Sequence, residues 1–383
     1  MAFNLKPRVS RPQNTQYRVK SIFPLQQLHD WIVPTMLAAH AIFLAFTCAQ
    51  YTRAQVLSAG VSPGGNSSEL TIKLSNGDTR EYLLHVPQNY SESVPAGLIL
   101  AYAGRGSDSA DAESFTRFSD PSYNPDMLVI YPQGTIDPTG EDVWQGDPNA
   151  KADDVAFTLE LLDNITATYA VDENRIYASG MSNGGGFVAN HLACDADASK
   201  RIAAFGAVSA AYYQFRDASR RSCKPDYVKI KCNNGGSKVA LIDIHGGRDQ
   251  TIDYSGGYRR GACLPSIPHF VTSWAERNGM ESSNRTSQVH NDNAVHYTFG
   301  EGEAAGMVQS YYVPNMGHVW PWAANGEVLK ATDVLMDFFS EWSIEKREEA
   351  AVTLPDTSAG AHLISAPPYL ALACITAFVT VFV

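Results

Sequence analysis

The sequence predicts an α/β protein built on a mostly parallel sheet. Near-continuous apolar runs such as GLILAYAG (97–104) and MLVIYPQG (127–134) are typical of strands buried on both faces of such a sheet. From residue 97 onward these runs alternate with segments of helical spacing, which favours parallel strands joined by helices. An antiparallel hairpin, ELTIKLSNGDTREYLLHVP (69–87), is predicted at one edge because Asn76-Gly77 is a strong turn signal.

The remaining elements follow in chain order. Residues 152–169 have helical spacing, with Asp153 or Asp154 placed to cap the start of the helix. Further strands are predicted at 175–180, 203–210, 238–247, 295–299 and 308–313, and further helices at 183–193, 267–279 and 327–342. These elements predict one domain over residues 60–345, followed by a linker at 346–358.

The N-terminal residues 1–49 are predicted to be a basic leader and signal peptide. Five basic residues precede an apolar run, WIVPTMLAAHAIFLAFTCAQ (31–50), which ends in small residues. This is the order of a secretory signal, with cleavage after Ala49. A signal-anchor helix is an alternative, and so is a start at Met36, because the leader before the apolar run is long.

The C-terminal residues 359–383 are predicted to be a GPI-attachment signal that is removed. A triplet of small residues, 358–360, is followed by a short spacer and an uncharged apolar tail. The tail is short for a bilayer span. Ser358 is the expected attachment residue, with Gly360 as a rival, and a C-terminal strand or a short tail anchor are the alternatives.

Cysteines and sequons fit an extracellular route. Removal of both signals deletes Cys48 and Cys374 and leaves an even number, which predicts two disulfides of undetermined pairing among Cys194, Cys223, Cys232 and Cys263. No two cysteines have C-x2-C spacing, so no metal site is indicated. N-glycosylation is predicted at Asn66, Asn89, Asn164 and Asn284. The net charge of −11 argues against a nucleic-acid partner.

Ser182 is the candidate nucleophile, in the segment ASGMSNGGGF (178–187). A predicted strand precedes it and a predicted helix follows it, which is the context that the G-x-S-x-G nucleophile motif requires. Gly180 and Gly184 flank the serine where side chains would collide in a sharp turn. The alternative is a glycine-rich turn that contains a serine by chance.

A serine nucleophile needs a general base and an acid that orients the base, and in this arrangement the chain order is serine, acid, histidine. Asp249 is the best acid because it follows the strand predicted at 238–247. Asp253 is the second choice, and Asp243 is expected inside the strand. His318 is the best base because it lies between the last predicted strand and the last predicted helix.

The other histidines are weaker candidates for the base. His245 precedes the acid in the chain, and His269, His290 and His296 are better explained as surface or packed side chains. The backbone N–H of Asn183 and one near Gly104 or Arg105 are expected to bind the oxyanion. This chemistry requires no metal and no organic cofactor.

Several motifs resemble those of secreted fungal feruloyl esterases, within the carbohydrate-esterase group that includes acetylxylan esterases and poly(3-hydroxybutyrate) depolymerase-like proteins. They are YASGMSNGGGF, ACDAD (193–197), HGGRDQTIDYSGG (245–257), RRGACLPSIPHFV (259–271) and GHVWP (317–321). The resemblance covers about residues 66–343. It implies an α/β-hydrolase fold and a triad of Ser182, Asp249 and His318. The chain departs from the family at Ala103-Gly104, where His-Gly is usual, and this puts the shape of the oxyanion loop in question.

The resemblance also implies a substrate, and the two terminal segments indicate a location. The expected substrate is feruloylated plant cell-wall polysaccharide, arabinoxylan or pectin. Trp320 and Trp144 are predicted to contact it by stacking, with a packed core position as the alternative for Trp144. Acetylxylan esterase or poly(3-hydroxybutyrate) depolymerase-like activity is the near alternative, and a non-catalytic carbohydrate-binding surface protein is the alternative of another class. The expected location is extracellular, with a GPI anchor as the only membrane association.

Overall fold

The computed structural model describes residues 61–355, except 217, 292 and 323–327. The predicted signal peptide, the predicted attachment residue Ser358 and the apolar tail lie outside these residues. Within them, no helix combines the length and the apolar character needed to cross a bilayer.

Fifteen strands and seven α-helices are present in the described residues. The strands are β1 (Ser68–Lys73), β2 (Thr79–His85), β3 (Ala96–Tyr102), β4 (Leu128–Pro132), β5 (Thr135–Ile136), β6 (Asp142–Val143), β7 (Val171–Met181), β8 (Ala204–Val208), β9 (Gln214–Arg216), β10 (Ala240–Gly246), β11 (Gly257–Arg259), β12 (Ala262–Leu264), β13 (Arg285–Val289), β14 (Ala294–Phe299) and β15 (Val308–Val313). The helices are α1 (Ser109–Thr116), α2 (Asp154–Thr168), α3 (Ser182–Phe187), α4 (Ala198–Arg201), α5 (Ile267–Arg277), α6 (Ala331–Glu341) and α7 (Ile344–Val352). A π-helical turn, Val188–Leu192, continues α3.

A ten-stranded sheet has the order β1-β2-β4-β3-β7-β8-β10-β15-β14-β13. Its six middle strands, from β4 to β15, are parallel to one another. The β1–β2 hairpin at one edge is antiparallel, as the sequence predicts, and β14 and β13 are antiparallel at the other edge. The prediction of an α/β-hydrolase fold is confirmed.

The middle strands are buried on both faces. Every residue of β3, β4, β8 and β10 is buried. Because successive side chains of a strand point to opposite faces, both faces of the sheet are covered, and the uninterrupted apolar runs follow from this. The helix predicted at 152–169 is α2, and Asp153 is its cap, with its side chain accepting a bond from the Ala156 amide. Asp154 instead forms a buried ion pair with Arg80 at 2.9 Å.

The folded region extends beyond the predicted boundary at residue 345. Helix α7 (Ile344–Val352) occupies the first half of the linker predicted at 346–358, so the predicted start of the linker lies inside a helix. Arg347 is 3% exposed and donates to the carbonyl of Ile202, and Ala350 is fully buried. The segment IEKREEAAV is mostly charged and shows only a narrow apolar stripe, which explains why its sequence pattern resembles a linker.

A small antiparallel sheet of order β11-β12-β9 lies beside the carboxyl end of the main sheet. Ala211, just before β9, donates its amide to the carbonyl of Ser182 at 2.8 Å. Ala211 also packs in a buried cluster with Ile252 and Leu264. The small sheet therefore adjoins the turn that carries the candidate nucleophile, and its very short strands gave no sequence signal.

The two expected disulfides are present. Cys194 pairs with Cys232, and Cys223 pairs with Cys263. The first crosslinks the segment after β9 to the chain that follows α3, and the second crosslinks it to β12. The segment between these cysteines contains no long helix or strand, so the crosslinks replace the packing that would otherwise hold it.

We expect replacement of Cys223 and Cys263 by serine to lower the free energy of unfolding by about 4 kcal/mol, since the bond closes a long loop in the unfolded chain. Guanidinium unfolding followed by tryptophan fluorescence measures this. The matched control is Cys194→Ser with Cys232→Ser, which opens a loop of nearly equal length (38 against 40 residues) and should cost a similar amount. An unchanged midpoint in both variants would contradict a stabilising role for these crosslinks.

Candidate active site

Ser182 lies at a strained turn between β7 and α3. Its φ angle is 53°, in the left-handed region that non-glycine residues rarely adopt. A Cβ atom on Gly180 would lie 2.5 Å from the carbonyl carbon of Gly184, and one on Gly184 would lie 2.3 Å from the carbonyl oxygen of Ala103. The glycines of G-M-S-N-G are therefore required by backbone contacts, which separates this motif from a chance match.

The structure brings the three predicted residues together. The hydroxyl Oγ of Ser182 lies 3.0 Å from Nε2 of His318, and Nδ1 of His318 lies 2.7 Å from Oδ2 of Asp249. Each residue comes from a loop or turn at the carboxyl end of a parallel strand: Ser182 after β7, Asp249 after β10 and His318 after β15. The second-choice acid, Asp253, is exposed, and its Oδ1 accepts a bond from the Ser255 amide.

Asp249 is fixed by its own loop. Its Oδ1 accepts bonds from the amides of Thr251 at 2.8 Å and Ile252 at 2.7 Å, which leaves Oδ2 for His318. Burial alone would raise the pKa of Asp249, but hydrogen bonding with His245 and His318 and the bond from the Ile252 amide outweigh it and hold the pKa well below its usual value. The carboxylate is therefore ionised at neutral pH and orients His318.

His245 is a fourth member of this arrangement, and sequence reasoning passed over it. The ring is fully buried, its Nε2 donates to the carbonyl of Ile252 at 2.8 Å, and the same nitrogen lies 3.5 Å from Oδ2 of Asp249. It thus holds the loop that positions the acid. Chain order excluded His245 as the base, but its position at the end of β10, four residues before Asp249, is a signal for such a contact.

A second buried carboxylate lies near His245. Asp243 is two residues earlier on β10, so its side chain points to the same face. The hydroxyl of Tyr212 donates to Oδ1 of Asp243 at 2.6 Å. Burial lowers the pKa of His245, but the hydrogen bond with Asp249 and the charge of Asp243 more than offset it, so the pKa of His245 is raised.

The loop after β3 lies against the nucleophile. A Cβ atom on Gly104 would lie 3.4 Å from Cβ of Ser182, so the backbone of this loop is beside the reacting hydroxyl. The side chain of Asn183 accepts from the Trp144 amide at 2.8 Å, and its own backbone amide lies in the first turn of α3. Both backbone segments predicted to bind an oxyanion therefore adjoin Ser182.

Arg105 holds the far side of the same loop through three ion pairs. Its guanidinium lies 2.6 Å from Asp137, 2.6 Å from Glu141 and 3.3 Å from Asp147. The side chains of Arg105, Asp137 and Asp147 are almost fully buried, where such pairs are screened little by solvent. These ion pairs therefore hold the loop at the residue that follows Gly104.

The stacking role predicted for Trp144 and Trp320 is not supported, because both rings are buried. Trp144 is 1% exposed, stacks on Phe187 and donates its indole N–H to the carbonyl of Ala103 at 3.1 Å. Trp320 is 3% exposed and donates to Oγ1 of Thr332 at 3.1 Å. Trp144 therefore supports the loop after β3 at Ala103, where the sequence departs from the pattern of the proteins that it resembles.

The four asparagines predicted to carry glycans are all exposed: Asn66, Asn89, Asn164 and Asn284. Asn164 lies on α2, as expected from the sequence. Glycosylation requires an exposed asparagine, so these positions are compatible with it, and glycosylation at each of them stays a prediction.

Comparison with curated proteins returns fungal esterases, although no family model matches the chain. Feruloyl esterase B of Piromyces equi is 24% identical over 235 residues, which is 60% of this chain and 41% of that protein. The bifunctional acetylxylan esterase/xylanase XynS20E of Neocallimastix patriciarum is 23% identical over 281 residues, 71% of this chain and 35% of that protein. Feruloyl esterase C of Emericella nidulans is 28% identical over 230 residues, 59% of this chain and 72% of that protein.

The chain thus spans less than half the length of the first two relatives. Among solved structures, the acetyl xylan esterase from Aspergillus awamori superposes with a TM-score of 0.52 at 16% identity, over 72% of this chain and 100% of that one. This likeness shows a shared fold.

We expect His245→Leu to lower kcat about tenfold with KM unchanged, because the loop of Asp249 loses a buried hydrogen bond. Steady-state hydrolysis of p-nitrophenyl acetate measures both constants. His245→Gln is the matched variant, since its amide retains an N–H donor, and it should recover part of kcat. Equal losses in both variants, or a change confined to KM, would contradict this positioning role.

The shifted pKa values of Asp249 and His245 also predict how the stability of the protein depends on pH. The lowered pKa of Asp249 contributes stability above its unfolded value of about 4, and the raised pKa of His245 contributes stability below its unfolded value of about 6.5. The excess stability of the wild type over His245→Leu should therefore be greatest between about pH 4 and 6.5, and urea unfolding at several pH values tests this. A difference that stays constant up to pH 9 would contradict it.

Proposed function

We propose that this relative of the fungal feruloyl and acetylxylan esterases is a serine carboxylesterase that hydrolyses hydroxycinnamoyl esters of plant cell-wall polysaccharide. The observation that carries the proposal is the continuous chain of contacts from Ser182 through His318 to Asp249, at 3.0 and 2.7 Å. These contacts support the assignment of Ser182 as nucleophile, His318 as base and Asp249 as orienting acid.

In the proposed mechanism, Nε2 of His318 takes the proton from Oγ of Ser182 as Oγ attacks the ester carbonyl carbon. The tetrahedral oxyanion accepts hydrogen bonds from the backbone N–H of Asn183 and from an amide at Gly104 or Arg105. Collapse breaks the bond to the sugar oxygen, which receives the proton from His318. Water, deprotonated by His318, then attacks the acyl-enzyme and releases the carboxylic acid and free Ser182.

The acyl group is proposed from the relatives. Two of the three curated relatives described above are named feruloyl esterases. Acetylxylan esterase activity is the second candidate, supported by the name of the third and by the burial of Trp144 and Trp320, which takes away the aromatic wall expected for a phenolic acyl group. Arabinoxylan or pectin is the proposed polysaccharide.

The protein is proposed to act outside the cell. The basic leader and apolar run at residues 1–49 support export, and two disulfides together with four exposed sequons suit an oxidising, glycosylating route. The apolar tail after the small residues at 358–360 supports a GPI anchor. The enzyme would then remain at the cell surface.

We expect wild type to release ferulate from methyl ferulate and Ser182→Ala to lose activity by a factor of about 10⁵ or more, because the nucleophile is absent. Product release followed by chromatography measures both. Asp253→Asn is the matched control, since this acid is exposed and outside the triad, and it should retain full activity.

Two results would change the proposal. Cleavage of p-nitrophenyl acetate through Ser182 without turnover of methyl ferulate would move the substrate to an acetylated or aliphatic ester. Equal, near-zero activity of wild type and Ser182→Ala on every small ester, with binding to xylan retained, would favour a non-catalytic carbohydrate-binding protein.

We expect phosphatidylinositol-specific phospholipase C to release the protein from membranes of expressing fungal cells, because the proposed anchor ends in phosphatidylinositol. Immunoblotting of the supernatant measures release. A chain ending at residue 357 should enter the medium without the enzyme. Protein that remains in the membrane after treatment would indicate a tail anchor or signal anchor instead.

A further inference from the structure

One segment of the chain, residues 216–231, carries a high density of positive charge, although the chain as a whole is acidic. Six basic and two acidic residues lie between positions 216 and 231, whereas the whole chain has 29 basic and 40 acidic residues. We call residues 216–231 the basic segment. Its six basic side chains are all exposed: Arg216, Arg220, Arg221, Lys224, Lys229 and Lys231.

These six charges have no ion-pair partner among the residues that the structure describes. The part of the segment after residue 217 is anchored by the Cys223–Cys263 disulfide and by the buried contacts of Ala218, Cys223, Val228 and Cys263. Like charges repel when they are held together, so a fixed basic surface indicates an anionic partner.

Aromatic rings lie among the charges. Tyr227 is 85% exposed, and Tyr258, 37% exposed, lies beneath the guanidinium of Arg220 at 5.6 Å. Open tyrosine faces between cationic groups can stack on sugar rings, and cationic groups pair with carboxylates. This combination suits an acidic sugar polymer.

A cavity of about 1000 Å³ opens at the end of the segment, with Arg216 and Lys231 in its lining. His191 contributes a ring whose Nε2 has no hydrogen-bond partner in the described residues, and burial, together with the charge of Arg216, lowers its pKa to about 4. The two acidic side chains in the lining of this cavity accept hydrogen bonds from backbone amides. Asp153 accepts from Ala156 at the start of α2, and Asp195 accepts from Asp197 and Ala198.

The basic segment begins close in the chain to a residue that contacts the candidate nucleophile. The Ala211 amide donates to the carbonyl of Ser182, and Arg216 follows Ala211 by five residues, so at most about 18 Å separates Arg216 from Ala211. On the other side, the loop that carries Asp249 leads directly into β11, which contains Tyr258. A polymer whose ester bond lies at Ser182 would reach the basic segment after a few sugar units.

We propose that the basic segment binds the carboxylates of a uronic-acid-bearing polysaccharide and so favours acidic over neutral feruloylated chains. The inference rests on the proposed esterase function and specifies its substrate class. Cationic side chains on the rim attract the acidic polymer, while the chemistry at Ser182 is unchanged, so the effect falls on KM and is screened by salt.

The test compares feruloylated oligosaccharides that retain galacturonate with neutral feruloylated arabinose oligosaccharides and methyl ferulate. For Arg216→Gln with Arg221→Gln in the full chain, KM for the acidic substrate should rise about fivefold at low salt, with the other two substrates unaffected. Raising the salt to about 0.2 M should remove the difference. The matched control, Lys73→Gln with Arg285→Gln, removes equal charge from exposed positions at the two edges of the main sheet and should behave as wild type.

Binding is measured separately with Ser182→Ala, by retardation in gels that contain polygalacturonate, neutral arabinoxylan or single-stranded DNA. Retardation by polygalacturonate alone, lost in the basic-segment variant, supports the proposal whatever ester the enzyme cleaves. If wild type does not hydrolyse methyl ferulate but polygalacturonate still retards the Ser182→Ala protein, only the feruloyl assignment is overturned. Equal KM for acidic and neutral substrates without retardation overturns the uronate site, and equal retardation by DNA overturns its assignment to a polysaccharide.

Discussion

The close approach of helix α3 to the end of strand β3 is the constraint on which the candidate site depends. It is possible only because Gly184 has no side chain: a Cβ there would lie 2.3 Å from the carbonyl of Ala103. The approach sets the oxyanion loop beside Ser182, and the Trp144 indole bound to that same carbonyl keeps the loop in place. The strain at Ser182 persists because the surrounding contacts determine it.

Much of the fold and the triad could be predicted from the sequence, for physical reasons. Strands β3, β4 and β10 are buried on both faces, so their apolar runs are unmistakable. Ser182 and His318 were found because a strand, a turn and a helix confine each to one position. Helices α1 and α7 were missed because both are short, and β9, β11 and β12 have only three residues each.

What the sequence could not provide depends on contacts between distant segments. Four cysteines allow three pairings, and only the fold brings Cys194 to Cys232. Chain order excluded His245 as a base and hid its contact with the loop of Asp249. The burial of Trp320 could not be predicted, because nearness in sequence to His318 does not reveal which way a ring points. Trp320 lies two residues away and packs inward.

The Cys194–Cys232 disulfide has a further consequence, because Cys194 lies on the same stretch of chain that begins with Ser182 and continues through α3. Cys232, the residue that follows the basic segment, is therefore crosslinked to the stretch of chain that carries Ser182, which limits movement of the segment away from it. In a polymer bound by the basic segment, the ester that reaches Ser182 would lie at a constant distance along the polymer from the bound sugar. The protein would then select esters by their distance along the polymer from a charged sugar.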